Sequence, residues 1–238
     1  MIVTVTGGAR SGKSSFAEKW CMKHADSGLY IATAQAFDEE MTQRIKLHRT
    51  QRDDSGFRWF TVEEPLHVAG VLSEVQRGEG PVTENAAEAE ARTGAVGGFQ
   101  AGFHTGTKSK PGTNLGTELV TKPDLQPGQR PPVVLIDCLT LWLSNVMLAA
   151  DVAGDGTVSE REVQLEVDTL VAAVEAYPGT LVMVTNEVGS GIVPEYPLGR
   201  KYRDWAGILN RRMAAISDQV FLVTAGIAIE LKSREYKL

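Results

Sequence analysis

Apolar residues in this chain occur either in short continuous runs or at helical spacings. Runs rich in Val, Ile and Leu are typical of strands buried on both faces of a sheet. They cover residues 2–5, 29–32, 133–137, 181–185, 220–223 and 227–231. Apolar residues three and four apart predict helices over residues 15–23, 38–52, 66–76, 139–148, 159–176 and 200–216. This alternation predicts a single α/β domain with a mostly parallel sheet that helices cover on both faces.

Residues 78–132 break this pattern. The segment holds 10 of the 24 glycines and 6 of the 10 prolines, and its apolar residues show no period. A long unstructured segment is uncommon inside a compact domain, whereas a fold tolerates a long surface loop because closure entropy grows slowly with length. We therefore expect residues 78–132 to be a flexible insertion, with a lid or partner-binding role as the alternative.

Composition narrows the class of protein. The 30 acidic and 24 basic residues give a net charge of −6, which argues against a protein that coats nucleic acid or an anionic membrane. Cys21 and Cys138 have no metal-binding spacing, so neither a disulfide framework nor a zinc site is expected. No apolar run approaches 18 residues, and the first residues do not resemble a secretory signal. These features predict a cytoplasmic protein without membrane insertion.

A glycine-rich turn lies between the first strand and the first helix and matches G-x-x-x-x-G-K-[ST]. Its residues are Gly7, Gly8, Ala9, Arg10, Ser11, Gly12, Lys13 and Ser14. Backbone amides in such a loop, together with the following helix dipole, bind phosphate oxygens. Lys13 is expected to reach the β- and γ-phosphates, and the Ser14 hydroxyl to bind Mg²⁺. The motif predicts a nucleoside-triphosphate site.

Asp137 ends the apolar run VVLID, which has the form of a Walker B element. A carboxylate at the carboxyl edge of the sheet is expected near the Mg²⁺ that Ser14 holds. The alternative is an acidic residue that only caps the next helix.

The helix predicted over residues 38–52 carries a histidine between two arginines. Arg44, His48 and Arg52 are four residues apart and share one face, while Met41, Ile45 and Leu47 are expected to face inward. Neighbouring cations keep an imidazole neutral and hence nucleophilic, and they attract phosphate. The spacing alone also fits a solvated basic face.

Several stretches together resemble one enzyme family. They are GGARSGKS, YIATA (30–34), M-x-x-R-I-x-x-H (41–48), TVEEPL (61–66), DCLTLWLSN (137–145), VTNEVGSGIVPE (184–195), residues 203–210 and VTAGIAIELK (223–232). In this order they resemble the bifunctional adenosylcobinamide kinase/adenosylcobinamide-phosphate guanylyltransferases of cobalamin biosynthesis. The resemblance covers the chain outside residues 78–132. Ser190 departs from it, because a larger residue such as Met is usual there.

The resemblance implies a RecA-like P-loop fold, a homotrimer, and roles for particular residues. His48 matches the position that becomes guanylylated, Lys13 acts on the triphosphate, and Asp137 takes a place where some members carry Glu. Further nucleotide-binding positions are implied at Thr33, Ala34, Gln35, Arg52 and Glu63.

The implied reactions are two. The enzyme would phosphorylate adenosylcobinamide with ATP or GTP. It would then transfer GMP from GTP to adenosylcobinamide phosphate through a guanylyl-histidine, which gives adenosylcobinamide-GDP. One alternative is a P-loop kinase of another small alcohol without nucleotidyl transfer. A second is a GTP-dependent switch, although the chain has no N-K-x-D motif for guanine.

Overall fold

A computed structural model describes residues 1–35, 39–78, 132–151 and 158–237. In the helix that begins at Glu39, the side chains of residues 40, 41, 44 and 51 lie outside the described part of the structure. The predicted orientations of Met41 and Arg44 therefore stay predictions. Most of the expected insertion, residues 79–131, also lies outside the described residues.

Seven strands and six α-helices are described. The strands are β1 (Ile2–Gly7), β2 (Ser27–Ala32), β3 (Arg58–Glu63), β4 (Val133–Asp137), β5 (Thr180–Val184), β6 (Gln219–Thr224) and β7 (Ile227–Glu230). The helices are α1 (Lys13–His24), α2 (Glu39–Asp53), α3 (Val68–Arg77), α4 (Leu139–Ala149), α5 (Glu160–Ala176) and α6 (Pro197–Ile216). Short 3₁₀ turns cover Val188–Ser190 and Lys232–Arg234.

The strands form one sheet in the order β3-β2-β4-β5-β1-β6-β7. All neighbours pair in parallel except β6 and β7, which are antiparallel. This confirms the predicted mostly parallel α/β architecture. One strand, β5, lies between the P-loop strand β1 and the acid-ended strand β4, so both present their carboxyl ends at the same edge.

Helices cover both faces of the sheet, and the first four residues of β4 are accordingly apolar on both faces. Val134 and Ile136 pack into the core beneath α3, α4, α5 and α6, while Val133 and Leu135 pack into the core beneath α1. Alternate residues of a strand face opposite sides, so a strand buried on both faces must be apolar throughout. Within the described ranges, no helix is long and apolar enough to cross a membrane.

The sequence analysis missed one strand, and one of its expectations about a helix was wrong. β3 was not predicted as a strand, because it lies at the edge of the described sheet beside β2 and leaves Arg58, Thr61 and Glu63 exposed, which weakens its apolar signal. Leu47 does not face inward, since it is 58% exposed. Ile45 and His48 share the inward side of α2, and Leu47 lies about 200° around the helix from Ile45.

Candidate nucleotide site

The loop between β1 and α1 has the close backbone approaches that its glycines permit. A side chain at Gly7 would place its Cβ 2.4 Å from the Val223 carbonyl oxygen on β6. Gly12 has a φ of +93°, in the region that favours glycine, and stands at the start of α1. The Lys13 ammonium donates to the Gly8 carbonyl at 3.2 Å, and the residue is 5% exposed. The lysine thus lies along the loop, at the positive end of the α1 dipole.

A cleft of about 660 Å³, counting the open space at its mouth, lies at the carboxyl edge of the sheet. The residues that line it are Lys13, Ser14, Tyr30, Ala32, Ala34, Ile45, His48, Arg52, Asp137, Cys138, Leu141 and Asn186. We call Lys13, Ser14 and Asp137 the sheet wall of this cleft, and Ile45, His48 and Arg52 its helix wall.

Strand register places the sheet wall. Asp137 is the last residue of β4 and pairs with Ala32 on β2 and Val184 on β5. Its carboxylate accepts a hydrogen bond from the Tyr30 hydroxyl at 2.8 Å. Burial raises the pKa of Tyr30 well above its usual range, with the nearby Asp137 charge adding to the effect. The phenol therefore keeps its proton and remains a donor to Asp137.

The helix wall is held by Arg52. Its side chain is 4% exposed, and its guanidinium carbon lies 3.7 Å from the centroid of the Tyr30 ring. The guanidinium is also 3.9 Å from a carboxylate oxygen of Glu18 on α1. Arg44, the other arginine of the predicted triplet, has a side chain outside the described residues. The solvated-face alternative is therefore wrong for Arg52, because that guanidinium is buried.

Glu18 is a half-buried acid beside the cleft that the sequence analysis did not single out. Burial raises the pKa of this carboxyl from 4.5 to about 7, the positive charge of Arg52 opposes the shift, and Asp137 adds to it. Its Oε1 is shielded from solvent and makes no hydrogen bond within the described part of the chain. Near neutral pH, Glu18 therefore changes its charge beside Arg52.

Three of the residues implied by resemblance lie outside the cleft wall. Thr33 is fully buried; its hydroxyl donates to the Cys138 carbonyl at 2.8 Å and accepts from the Cys138 amide at 2.9 Å. It thereby ties the end of β2 to the end of β4. Gln35 is half-buried, and Glu63 is exposed and paired with Arg49 of α2. Their nucleotide contacts remain predictions.

The cleft also contains polar residues that the sequence analysis did not assign to it, chiefly Tyr30 and Asn186. Asn186 follows β5 at the same sheet edge, and its amide donates to the Thr140 hydroxyl at 2.8 Å. Its position after a buried strand was an available signal. The sequence signal at Tyr30 was weaker. A phenol in an otherwise apolar strand usually needs a buried hydrogen-bond partner, but the sequence does not show which residue is that partner.

The sheet wall fits Mg²⁺. Ser14 and Asp137 present a hydroxyl and a carboxylate to one cleft, and both are hard oxygen ligands. The described residues contain no group of three or more His, Cys, Asp or Glu side chains that could hold a metal. Mg²⁺ at nucleotide sites commonly uses one or two protein ligands plus phosphates and water, so this sparse set is suitable. The Ser11 hydroxyl, buried and unbonded among the described residues, offers a further polar group in the phosphate loop.

The sheet, the glycine loop and the acid that ends β4 define a P-loop nucleotide-binding protein of the α/β class. The model of the cobinamide kinase/cobinamide phosphate guanyltransferase family matches residues 3–83 and 113–231. The chain belongs to this family, which confirms the resemblance. The unmatched residues between the two segments, 84–112, fall within the segment 78–132 that was expected to be an insertion.

Curated relatives agree with the family. The bifunctional adenosylcobalamin biosynthesis protein CobU of Escherichia coli K12 is 33% identical, covering 98% of this chain and 100% of its own. CobU of Salmonella typhimurium LT2 is 32% identical with the same coverages. CobP of Pseudomonas aeruginosa is 34% identical over 96% of this chain and 95% of its own. A solved type III secretion ATPase aligns over 100% of this chain and 58% of its own, with a TM-score of 0.43 and 10% identity, too weak a likeness to inform function.

Proposed function

We propose that this protein is a bifunctional cobinamide kinase and cobinamide phosphate guanylyltransferase of cobalamin biosynthesis. Family membership supports both activities. The observation that carries our assignment of residues is the single cleft that joins Lys13, Ser14 and Asp137 to His48. One nucleotide bound there would have its phosphates near both a P-loop and a nucleophile.

In the kinase reaction, we propose that the terminal hydroxyl of cobinamide attacks the γ-phosphorus of ATP or GTP. The O–P bond to the substrate forms as the bond to the nucleoside diphosphate breaks. Lys13 and the loop amides hold the phosphate oxygens in line, since phosphoryl transfer depends mainly on positioning and charge stabilisation. Mg²⁺ held by Ser14 and Asp137 would neutralise charge on the β- and γ-phosphates.

In the transfer reaction, we propose that a neutral His48 nitrogen attacks the α-phosphorus of GTP and releases pyrophosphate. A phosphate oxygen of cobinamide phosphate then attacks the same phosphorus, the P–N bond breaks, and adenosylcobinamide-GDP forms. Direct attack of one anion on another is thereby replaced by two easier steps. The buried Arg52 cation lines the same cleft and attracts the anionic nucleotide.

Covalent labelling tests this assignment. The full-length protein is incubated with Mg²⁺ and GTP radiolabelled at the α-phosphate, then run on a denaturing gel. We expect an acid-labile, alkali-stable label on the wild type and on His67→Ala, whose histidine is exposed at the start of α3, and none on His48→Ala. Label on His48→Ala would mean a different nucleophile. No label on any protein would contradict nucleotidyl transfer and favour a P-loop kinase of another alcohol.

We propose further that the protein works in the cytoplasm as a homotrimer. Cys21 and Cys138 are buried free thiols, which suits a reducing compartment. The family resemblance supports a trimer. Ile192 and Tyr196, which are 96% and 64% exposed in the isolated chain, provide surface that assembly would cover. Light scattering on the purified protein tests the trimer; a monomeric mass would contradict it.

A further inference from the structure

Tyr30 contacts both walls of the nucleotide cleft. The side chain lies in the cleft lining, comes from the middle of β2 and is 4% exposed. Its hydroxyl reaches the sheet wall at Asp137, and its ring reaches the helix wall at Arg52. The resemblance to the family implied a role for neither part of this side chain.

The hydroxyl fixes one oxygen of the Asp137 carboxylate. It donates to Oδ2 at 2.8 Å, a normal length for an O–H···O hydrogen bond. A carboxylate with one oxygen engaged cannot rotate freely, so this bond fixes the direction in which its other oxygen, Oδ1, faces. Such supporting hydrogen bonds orient metal ligands and strengthen metal binding.

The ring fixes the guanidinium of Arg52. It lies 3.7 Å from the guanidinium carbon on one side, and the Trp59 ring contacts it edge-on with centroids 5.8 Å apart. A cation over a tyrosine face is stabilised most when both are shielded from water, as here. The Tyr30 ring, held by Trp59, therefore supports the arginine that lies one helical turn beyond His48.

We propose that Tyr30 is a positioning residue shared by the two reactions: its hydroxyl orients Asp137 toward Mg²⁺, and its ring orients Arg52 toward the nucleotide. This inference rests on the proposed function. The two parts of the side chain act on different walls, so they can be removed separately. Tyr30→Phe deletes the hydroxyl and keeps the ring, whereas Tyr30→Leu deletes both.

Metal binding tests the hydroxyl. Mn²⁺ serves as the probe, and its binding to the full-length protein saturated with GDP is measured by electron paramagnetic resonance. We expect Tyr30→Phe to weaken Mn²⁺ binding about 10-fold, in the range seen when a partner of a metal ligand is removed. The matched control is Tyr202→Phe, which deletes a half-buried hydroxyl that donates to the Thr140 carbonyl at 3.0 Å instead of to Asp137.

Nucleotide binding without metal tests the ring. Fluorescent GDP is titrated into each protein in the presence of a chelator, so that the metal makes no contribution. We expect Tyr30→Phe to bind as the wild type does and Tyr30→Leu to bind about threefold or more weakly, because Arg52 loses its support. Unfolding curves of each variant show whether the comparison is made on folded protein.

The outcomes separate this inference from the proposed function. Wild-type Mn²⁺ affinity in Tyr30→Phe, or equal weakening in Tyr30→Phe and Tyr202→Phe, would overturn the role of the hydroxyl. Equal GDP affinity in Tyr30→Leu and Tyr30→Phe would overturn the role of the ring. A wild-type protein that bound no GDP at all would instead contradict the P-loop site itself, and this inference would fall with it.

Discussion

The two walls of the nucleotide cleft are held in different ways. The sheet wall grows out of buried strands and the start of α1, and Lys13 and Asp137 are placed by strand register and loop geometry. The helix wall belongs to α2, in which Arg52 is buried, Ile45 and His48 are half-buried, and the other described side chains are exposed. The sheet wall is therefore part of the core, whereas the helix wall is attached to the core through only a few side chains of α2.

This difference shows which substitutions each wall should tolerate. Asp137 ends a strand that pairs with neighbours on both sides, and Lys13 and Ser14 begin a helix that packs on the sheet, so the main chain holds these positions and a sheet-wall side chain can change without moving its neighbours. α2 depends on its inward side chains, above all Arg52, which bridges Tyr30 and Glu18. We expect substitutions in the sheet wall to affect chemistry alone and those around Arg52 to affect chemistry and stability together.

Lys13→Ala gives the largest expected effect. The lysine binds the triphosphate in both reactions, so kinase turnover and labelling by GTP should each fall about 10²–10³-fold, as when one charge-stabilising donor is removed.

His48→Ala should remove the label and leave kinase turnover within a few-fold of the wild type. Assays of both activities on both variants check this, with Lys19→Ala, an exposed lysine of α1, as the control. A Lys13→Ala protein with normal kinase turnover would contradict the sheet-wall assignment.

Glu18→Gln should stabilise the protein at neutral and higher pH. Because the pKa of Glu18 rises from 4.5 unfolded to about 7 folded, the folded state loses stability as pH rises through this interval. The neutral glutamine avoids that loss, so its advantage should grow from near zero at pH 4 to roughly 3 kcal/mol at pH 8. Urea unfolding at several pH values measures it.

The control for that experiment is Glu175→Gln, at an exposed position near the end of α5. Its effect on the free energy of unfolding should be within about 0.5 kcal/mol, as for other exposed substitutions. A Glu18→Gln advantage that did not change with pH would show that packing, and not charge burial, causes it.

Arg52→Gln should destabilise the protein by about 2 kcal/mol, since it removes a shielded cation–π contact and leaves Glu18 without its nearby positive charge. The pKa of Glu18 should then rise further, because Arg52 lowers it. Urea unfolding measures the first effect, and GTP labelling should weaken in parallel. Unchanged stability would mean that Arg52 does not anchor α2.

Arg49→Gln should give the smallest effect. Arg49 is also on α2, but it pairs with Glu63 at side-chain exposures of 50% and 57%. Exposed ion pairs contribute little, so the free energy of unfolding should change by less than about 0.5 kcal/mol. The same urea experiment applies. A loss as large as that of Arg52→Gln would erase the distinction between the two arginines.

The amino-acid sequence by itself determined the local features of this protein. Continuous apolar runs identified six of the seven described strands, and the spacing of glycines before Lys13 and Ser14 identified the phosphate loop between β1 and α1. These features depend on residues close together in the chain, so short-range patterns suffice. The run of β7 also predicted burial on both faces, which was wrong, because Ile227 and Ile229 are 68% and 45% exposed on this edge strand. The edge strand β3 was not recognised because the charged Arg58 and Glu63 and the polar Thr61 interrupt its apolar run, whereas the exposed edge strand β7 keeps a largely apolar run.

Only the tertiary structure decided which distant residues meet. The Tyr30–Asp137 hydrogen bond joins residues 107 positions apart, and it exists because β2 and β4 pair in parallel with Ala32 beside Asp137. The burial of Arg52 against Tyr30 and Glu18 depends in the same way on how α2 lies over β2 and α1. Strand register and helix position arise from packing across the whole sheet, so the spacing of residues along the chain does not predict them.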